Sequence, residues 1–239
     1  MRSPPRLMID NSLCIIPARG GSKRIAKKNI RHFCGKPIIG YVINAAIESG
    51  CFSRVIVSTD CSEIAAVSAS FGAEVPFVGP SHLADDFCGT RDVVVSSITH
   101  FNDLLPLSPV ACIYPTAFFL SSDLILSGFK LSNRHEFKSF VFTAAQYASP
   151  VQRSFLIDNN NKSVMLYPEK YAMRSQDLEP VYYDLGGFYI ASRDCWLSGD
   201  TIFGNGVPLT LDKFKAIDIN TEDDWLHAEH IAKSFYPNL

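Results

Sequence analysis

Residues 13–30 read LCIIPARGGSKRIAKKNI, and this stretch decides the fold. The apolar run 13–16 has the composition of a buried β-strand, which Pro17 ends. The pair Gly20 and Gly21 then opens a loop, because glycine accepts positive φ angles and lets backbone N–H groups approach a ligand closely. A buried strand that leads into such a loop indicates an α/β protein with a ligand site at a strand end.

The loop is strongly basic. The loop and the residues directly after it carry six cations and no acidic residue, namely Arg19, Lys23, Arg24, Lys27, Lys28 and Arg31. Cations beside exposed N–H groups favour a polyanion such as a triphosphate. The pattern is neither a G-x-G-x-x-G fingerprint nor a P-loop, which needs a glycine directly before Lys-Ser/Thr. Charge runs also occur as solvated turns, and the glycine pair directly after a buried strand is what favours a binding loop.

The charge of the whole chain argues against nucleic acid as the anion. The 239 residues include 22 basic and 24 acidic ones, which gives a formal net charge of −2. Without the cations of the loop, 16 basic residues would face 24 acidic ones. A protein that follows a nucleic-acid backbone is rarely acidic everywhere else. The positive charge is therefore focused on one small site, and we expect no nucleic-acid partner.

Length and composition predict a single domain over residues 1–239. The chain is 47% hydrophobic, which allows a sizeable core, and no repeat or composition shift divides it. No stretch approaches the roughly 18–20 apolar residues that a membrane span needs, and no signal-peptide pattern is evident. The seven cysteines are widely spaced without a C-x-x-C pair, which fits reduced thiols. We expect a soluble, cytoplasmic protein with no membrane partner.

The first half of the chain alternates strands and helices. Periodicity predicts helices over 38–47 and 62–71, helices that begin near 90 and 122, and strands over 54–58, 74–78 and 110–114. Pro37 is expected at the first position of its helix, and Thr90 as a helix cap. This rhythm predicts a three-layer α/β fold with a mostly parallel sheet, in which ligands bind at the carboxyl ends of the strands.

The second half departs from this rhythm. Residues from about 146 to 184 are polar and aromatic with few periodic stretches, which predicts an inserted arm. Strands are expected again over 187–191 and 215–219. Thr221 should then cap a final helix whose first turn is acidic, as the helix dipole favours.

Several motifs resemble a known family, the CMP-nonulosonate (CMP-sialate type) cytidylyltransferases. They are IPARGGSKR with KNI, followed by GKPIIGYVINAA at 35–46 and VIVSTD at 55–60. Three further stretches resemble the pseudaminic acid branch of that family, namely SPVQR at 149–153, RSQDLE at 174–179 and YDLGGFY at 183–189. The resemblance runs from the first strand to the last helix.

The resemblance implies both a fold and a reaction. The fold would be Rossmann-like, of the nucleotide-diphospho-sugar transferase type, with a dimerisation arm that crosses a two-fold axis. The reaction would transfer CMP from CTP to the anomeric hydroxyl of a nonulosonic acid, above all pseudaminic acid, and release pyrophosphate. The same reaction on sialic, legionaminic or 3-deoxy-ulosonic acid is an alternative, as is a CTP-binding protein without catalysis.

The resemblance also assigns roles to particular residues. Nucleotide binding falls to Ala18, Arg19, Gly20, Gly21, Ser22, Lys23, Asn29 and Thr90, and catalysis to Arg19, Lys23, Lys28 and Asp218. The sugar pocket would be lined by Gln152, Arg153, Arg174 and Gln176. An arginine there suits the carboxylate of the sugar, because it can bind that group in a bidentate manner.

The metal site departs from the family pattern. Relatives carry Asp-x-Asp where this chain has Asp218-Ile219-Asn220. The resemblance implies Mg²⁺ as cofactor, held by Asp218 and Asn220, whose side chains would share one face of a strand. One carboxylate, one amide oxygen and the substrate phosphates could suffice, since Mg²⁺ prefers oxygen ligands.

Two other positions also depart from the family. Gly79-Pro80 stands where relatives have Arg-Pro, which puts that contact to the base in doubt. Tyr114-Pro115-Thr116 stands where many relatives have Gln-Pro-Thr, and tyrosine at this position occurs in the pseudaminic branch.

Overall fold

The structure is a computed structural model, and it describes residues 9–76, 89–199 and 201–236. The strands of this part of the chain are β1 (Leu13–Pro17), β2 (His32–Phe33), β3 (Lys36–Pro37), β4 (Arg54–Ser58), β5 (Pro109–Ile113), β6 (Val141–Gln146), β7 (Phe155–Ile157), β8 (Ser163–Met165), β9 (Tyr182–Ser192) and β10 (Val207–Leu211). The α-helices are α1 (Ile38–Glu48), α2 (Ser62–Ser70), α3 (Thr90–Ile98), α4 (Ser122–Arg134), α5 (Arg193–Leu197) and α6 (Glu222–Phe235). No helix in the described ranges combines the length and the apolar character that crossing a bilayer requires.

The main sheet contains six strands in the order β10-β6-β9-β5-β1-β4. Strand β1 pairs in parallel with β4 and β5, and β10 pairs in parallel with β6. Strand β9 runs antiparallel to both of its neighbours, β5 and β6. The predicted mostly parallel sheet is therefore confirmed, with a single reversed strand in its middle.

Helices cover both faces of this sheet. On β1, Leu13 and Ile15 belong to one apolar core and Cys14 and Ile16 to the other, each at most 1% exposed. Helices α1, α4 and α6 contribute to the core that contains Cys14, whereas α3 and α5 contribute to the opposite one. A continuous apolar run is what a strand between two helix layers needs, because consecutive side chains point to opposite faces.

Two helix starts differ by one position from the sequence prediction. Pro37 occupies the N-cap of α1 rather than its first helical position. Thr90 is the first residue of α3, and Gly89 is the N-cap. The carboxylate of Asp92 accepts a hydrogen bond from the Gly89 N–H at 3.0 Å, which is one half of a capping box; Gly89 has no side chain to supply the other half, so the side-chain cap expected from Thr90 does not form.

Two predicted strands do not form as expected. The predicted strand 215–219 is wrong, because the chain there is irregular and its buried residues, Ala216 and Ile219, are three apart and do not alternate. The edge strand is β10 instead. The predicted strand 74–78 is reduced, in the described residues, to one parallel bridge between Glu74 and Ile56, and residues 77 and 78 lie outside the described ranges.

The chain between β6 and β9 lies outside the main sheet. It forms a separate antiparallel hairpin of β7 and β8, flanked by short 3₁₀ turns at Val151–Arg153, Pro168–Lys170 and Ser175–Asp177. Because β9 runs antiparallel to β6, β6 ends and β9 begins at the same end of the sheet, where the parallel strands terminate. The segment between them therefore leaves and rejoins the sheet at that end.

Candidate active site

The loop after β1 is fastened to the end of β4. The Ala18 N–H donates to the Ser58 carbonyl at 2.8 Å, and the Gly20 N–H donates to the Asp60 carboxylate at 2.7 Å. The Ser22 N–H donates to the Gly20 carbonyl at 3.0 Å. These three N–H groups are therefore engaged within the protein rather than directed at a ligand.

The two loop glycines serve different purposes. Neither is among the glycines with positive φ, so that part of the prediction is wrong. A Cβ on Gly20 would lie 2.8 Å from the Cβ of Cys61, closer than real Cβ contacts allow, so glycine is required there for close packing. A Cβ on Gly21 would meet nothing within 4 Å, which leaves the outer side of the loop open.

The structure separates the six cations into distinct groups. Lys27 forms an ion pair with Glu63 at 2.7 Å, and Arg31 forms one with Glu222 at 2.7 Å. These two charges are compensated by carboxylates within the protein. Arg19 and Lys23 remain in the loop itself, while Arg24 and Lys28 contact the segment that contains Asp218.

Lys28 lies half-buried between the loop and that segment. Its Nζ atom donates to the Ile219 carbonyl at 2.8 Å. Burial lowers the pKa of Lys28 below its ordinary value, and Arg24 and Arg19 lower it too, whereas Asp218 and Asp224 act in the opposite sense. Lys28 therefore stands in the electrostatic field of both the basic loop and the acidic segment.

Asn29 fixes the loop from the inside. It is 6% exposed, and its Nδ2 atom donates to the Arg19 carbonyl at 3.0 Å. The structure thus brings Arg19 and Lys28 to one place, and Asn29 supports the loop backbone rather than presenting its amide to solvent.

Residues 218–221 keep a fixed shape although they form no strand. The Asp224 carboxylate accepts from the N–H groups of Asn220 at 2.9 Å and Thr221 at 2.8 Å, and the Thr221 hydroxyl accepts from the Asp224 N–H at 3.2 Å. This capping box at the start of α6 matches the predicted role of Thr221. The side chains of Asp218 and Asn220 lie together, since the Asn220 Nδ2 donates to the Asp218 Oδ2 at 2.6 Å.

A buried polar network next to Asp218 was missed by the sequence reasoning. The hydroxyls of Thr90 and Tyr114 are hydrogen-bonded at 2.6 Å, and the ring of Tyr114 lies 5.6 Å from the ring of Tyr189. The Tyr189 hydroxyl donates to the carboxylate of Asp184. Burial raises the pKa of both phenols, so both keep their protons near neutral pH.

Gly186 lies between this network and the acidic segment. Gly186 has φ of 60°, and a Cβ on it would lie 3.2 Å from the Tyr114 ring and 3.8 Å from the Asp218 Cγ. Asp184, Gly186 and Tyr189 all belong to the YDLGGFY motif, which was the one signal in the sequence that pointed here.

The four predicted sugar-binding residues lie in the arm between β6 and β9. Gln152 donates to the Glu179 carbonyl at 2.9 Å, and Arg153 donates to the Met173 carbonyl at 2.8 Å. Arg174 forms an exposed ion pair with Asp177 at 2.7 Å, and Gln176 lies in the same 3₁₀ turn as that carboxylate. These contacts stay within the arm. The Gly79-Pro80 position lies outside the described residues.

Comparisons with known proteins show the family to which the chain belongs. The family model described as Cytidylyltransferase matches residues 13–183. The chain is 40% identical, over 80% of its length and 83% of the relative's, to pseudaminic acid cytidylyltransferase of Campylobacter jejuni subsp. jejuni. It is 30% identical, over 92% of its length and 95% of the relative's, to CMP-N,N'-diacetyllegionaminic acid synthase of Legionella pneumophila subsp. pneumophila.

A solved structure supports the fold. CMP:2-keto-3-deoxy-manno-octonic acid synthetase, solved in complex with CTP, superposes with a TM-score of 0.68 at 13% identity. The match covers 94% of this chain and 99% of that one. On the family model and the close relatives together, this chain belongs to the cytidylyltransferase family.

Proposed function

We propose that this enzyme transfers CMP from CTP to the anomeric hydroxyl of a nonulosonic acid, with pseudaminic acid as the first candidate. The observation that carries the proposal is the basic loop at the carboxyl end of β1, where Lys28 and Arg24 meet the segment that contains Asp218. The choice of sugar rests on the 40% identical relative, which is a pseudaminic acid cytidylyltransferase.

The proposed reaction is a single displacement at phosphorus. The sugar hydroxyl oxygen forms a bond to the α-phosphorus of CTP, the bond from that phosphorus to the bridging oxygen of the β-phosphate breaks, and pyrophosphate leaves. The hydroxyl proton passes to solvent. Positioning and charge stabilisation supply most of the catalysis in such transfers. We assign Arg19, Ser22 and Lys23 to the triphosphate, and Lys28 to the reacting phosphate.

We propose Mg²⁺ as the cofactor and Asp218 as its ligand. Asp218 is an exposed carboxylate, and its hydrogen-bond partner Asn220 contacts Arg24 of the loop. Its chemistry fits the ion, since Mg²⁺ is usually held by one or two carboxylates together with substrate phosphates. When bound, the ion would neutralise charge on the phosphate oxygens.

The arm supplies the proposed sugar contacts. Arg174 would bind the sugar carboxylate after exchanging its present partner, Asp177. The Oε1 atom of Gln152 is buried and has no hydrogen-bond partner among the described residues. A sugar hydroxyl or amide N–H would satisfy that acceptor, which supports placing Gln152 in the pocket.

A substrate panel tests the proposed function. Pseudaminic, legionaminic, sialic and 3-deoxy-ulosonic acids are each incubated with CTP and Mg²⁺, and pyrophosphate and CMP-sugar are measured. We expect the fastest release with pseudaminic acid. Faster turnover of another acid would reassign the sugar, and no release with any of them would reject the transferase activity. Thermal stabilisation by CTP without any product would instead indicate a CTP-binding protein that has lost catalysis.

The lowered pKa of Lys28 predicts an alkaline limit to activity. The protonated amine is the form that stabilises phosphate charge, so kcat/KM should fall as the pH rises through that pKa. Because burial lowers the pKa of Lys28 from the ordinary value of 10.5, kcat/KM should begin to fall at a lower pH than it would with an ordinary lysine. Lys28→Arg should move the alkaline limb to higher pH, whatever its effect on the maximum rate. An unchanged limb in this variant would show that another group causes it.

We propose that the protein is a homodimer built on the arm, and that it works in the cytoplasm, which its widely spaced cysteines without a C-x-x-C pair support. The hairpin and the residues that follow it in the arm expose many large apolar side chains, including Phe155, Leu156, Ile157, Val164, Leu166, Tyr167 and Tyr171. Ile157 and Tyr171 are 68% and 69% exposed. An isolated two-stranded hairpin is only marginally stable in water, and exposed apolar patches of this kind favour protein contacts. A two-fold interface would bury the same patch on each chain.

Light scattering tests the dimer, for which we expect twice the mass of the chain at micromolar concentration. A monomer would reject it. Mixing Lys23→Ala with Arg174→Ala then tests whether the arm completes the partner's site, since one intact site can form only if the two residues come from different chains. Recovered activity would support a site shared between the two chains. If no activity is recovered, the shared site is rejected but the dimer is not.

A further inference from the structure

The side chain of Asn220 lies between Arg24 and Asp218. The guanidinium of Arg24 donates to the Asn220 Oδ1 at 2.9 Å, and the Asn220 Nδ2 donates to the Asp218 Oδ2 at 2.6 Å. The neighbours dictate this orientation of the amide, because a guanidinium can only donate and an ionised carboxylate can only accept. The amide oxygen therefore points to the loop, and the amide nitrogen points to the carboxylate.

This orientation conflicts with a ligand role for Asn220. A cation bound to Asp218 needs oxygen ligands beside that carboxylate. The atom that Asn220 presents there is the amide nitrogen, whose hydrogens are donors and which offers no lone pair to a metal. The oxygen that would ligate is bonded to Arg24.

The charge of Arg24 differs from that of its neighbours in the loop. Lys27 and Arg31 are each paired with a carboxylate. The hydrogen-bond partner of Arg24 is the neutral amide of Asn220, which fixes the direction of the guanidinium, and the Asp224 carboxylate lies within electrostatic range of it without forming an ion pair in the described residues. Arg24 thus keeps a positive charge for an anionic ligand, in a position set by Asn220.

We infer that Asn220 is a positioning residue that holds Arg24 against the triphosphate, and that Asp218 alone is the protein ligand of the metal. The inference rests on the proposed function of the same site. The backbone at Asn220 is also held in place, which supports a positioning role. The Asn220 N–H donates to Asp224, and the adjacent Ile219 carbonyl accepts from Lys28. A carboxylate at 220 would repel Asp218 and form an ion pair with Arg24, which would offset the charge of the guanidinium, whereas the amide bonds to both neighbours and leaves that charge in place.

CTP affinity in EDTA separates the two roles, because a metal ligand contributes nothing there. We expect Arg24→Met to weaken CTP binding about tenfold, which is the loss of about one good charged contact. Asn220→Ala should weaken it several-fold, and the double variant should be no weaker than Arg24→Met alone, because both changes remove the same contact. Asn133→Ala, an exposed asparagine on α4, is the matched control and should bind as the wild type does.

Unaltered CTP affinity of Asn220→Ala in EDTA would overturn the inference while the proposed function stands. Absence of CTP binding to the wild type in both EDTA and Mg²⁺ would instead reject the proposed function.

The thermal response to Mg²⁺ alone, without nucleotide, provides a second readout. We expect little change in the Tm of the wild type and a clear rise in Asn220→Asp, which gains a second carboxylate beside Asp218. An equal rise in the wild type would mean that Asn220 and Asp218 already form a ligand pair, and that would also overturn the inference.

Discussion

Lys23→Ala should reduce turnover about 10²–10³-fold while the fold persists, since that is the usual cost of losing one positioned electrostatic donor. Lys23 is an exposed residue of the loop that follows β1, so its removal leaves no cavity in either core. The loop backbone is fastened by Ala18 and Gly20, whose hydrogen bonds the substitution does not touch. Pyrophosphate release under steady-state conditions gives the rate, and thermal melting verifies the fold.

Lys27→Ala is the matched control for this prediction. Lys27 is an exposed lysine of the same loop, and its amine is paired with Glu63 on α2, away from the segment that contains Asp218. Exposed ion pairs contribute little to stability, so the variant should keep both fold and activity. Near-normal activity of Lys23→Ala would contradict the assignment of Lys23 to the triphosphate. An equal loss in both variants would mean that the overall charge of the loop matters and the individual positions do not.

Asp218→Ala should remove nearly all activity, because it deletes the one proposed carboxylate ligand of the metal. The side chain is exposed, and the neighbouring backbone is held by Lys28 and Asp224, so we expect a folded protein. The rate should stay low over a titration from micromolar to tens of millimolar Mg²⁺. Substantial activity at moderate Mg²⁺ would place the metal elsewhere.

Asp223→Ala provides the comparison for Asp218→Ala. Asp223 is also an exposed carboxylate and lies in the first turn of α6. Its loss removes a favourable interaction with the helix dipole, worth about 0.3–1 kcal/mol, and should hardly change the rate. A similar loss of activity in both variants would indicate a general effect of negative charge near the loop.

The sequence was sufficient for elements whose signals are local. Strand β4 and the capping box of Thr221 follow from short patterns of apolar and capping residues, and both occur as predicted. The strand predicted at 215–219 failed because Ile217 and Ile219 imitate alternation, whereas packing buries Ala216 and Ile219. Strand β10 was missed since it contains Pro208, which an edge strand tolerates.

The contacts that shape the candidate site could not be predicted in this way. Arg24 and Asn220 are 196 residues apart, and no local pattern announces that their side chains meet. The same holds for Thr90 and Tyr114, which meet only because α3 begins beside the end of β5. The basic loop itself was predictable, because its strand, glycines and charges are contiguous, but the partner of each cation was not.

The reversal of β9 has a consequence for how such an enzyme can change its substrate. Strand β6 ends and strand β9 begins at the end of the sheet where the loop after β1 lies. The whole arm therefore leaves and rejoins the main sheet on that side. The proposed CTP-binding part of the site is built on the loop after β1, which lies outside the arm. On the proposed assignment of the sugar contacts to the arm, we expect exchange of the arm to alter the accepted sugar and to leave the nucleotide site in place, which would make acceptor choice a separable property of this fold.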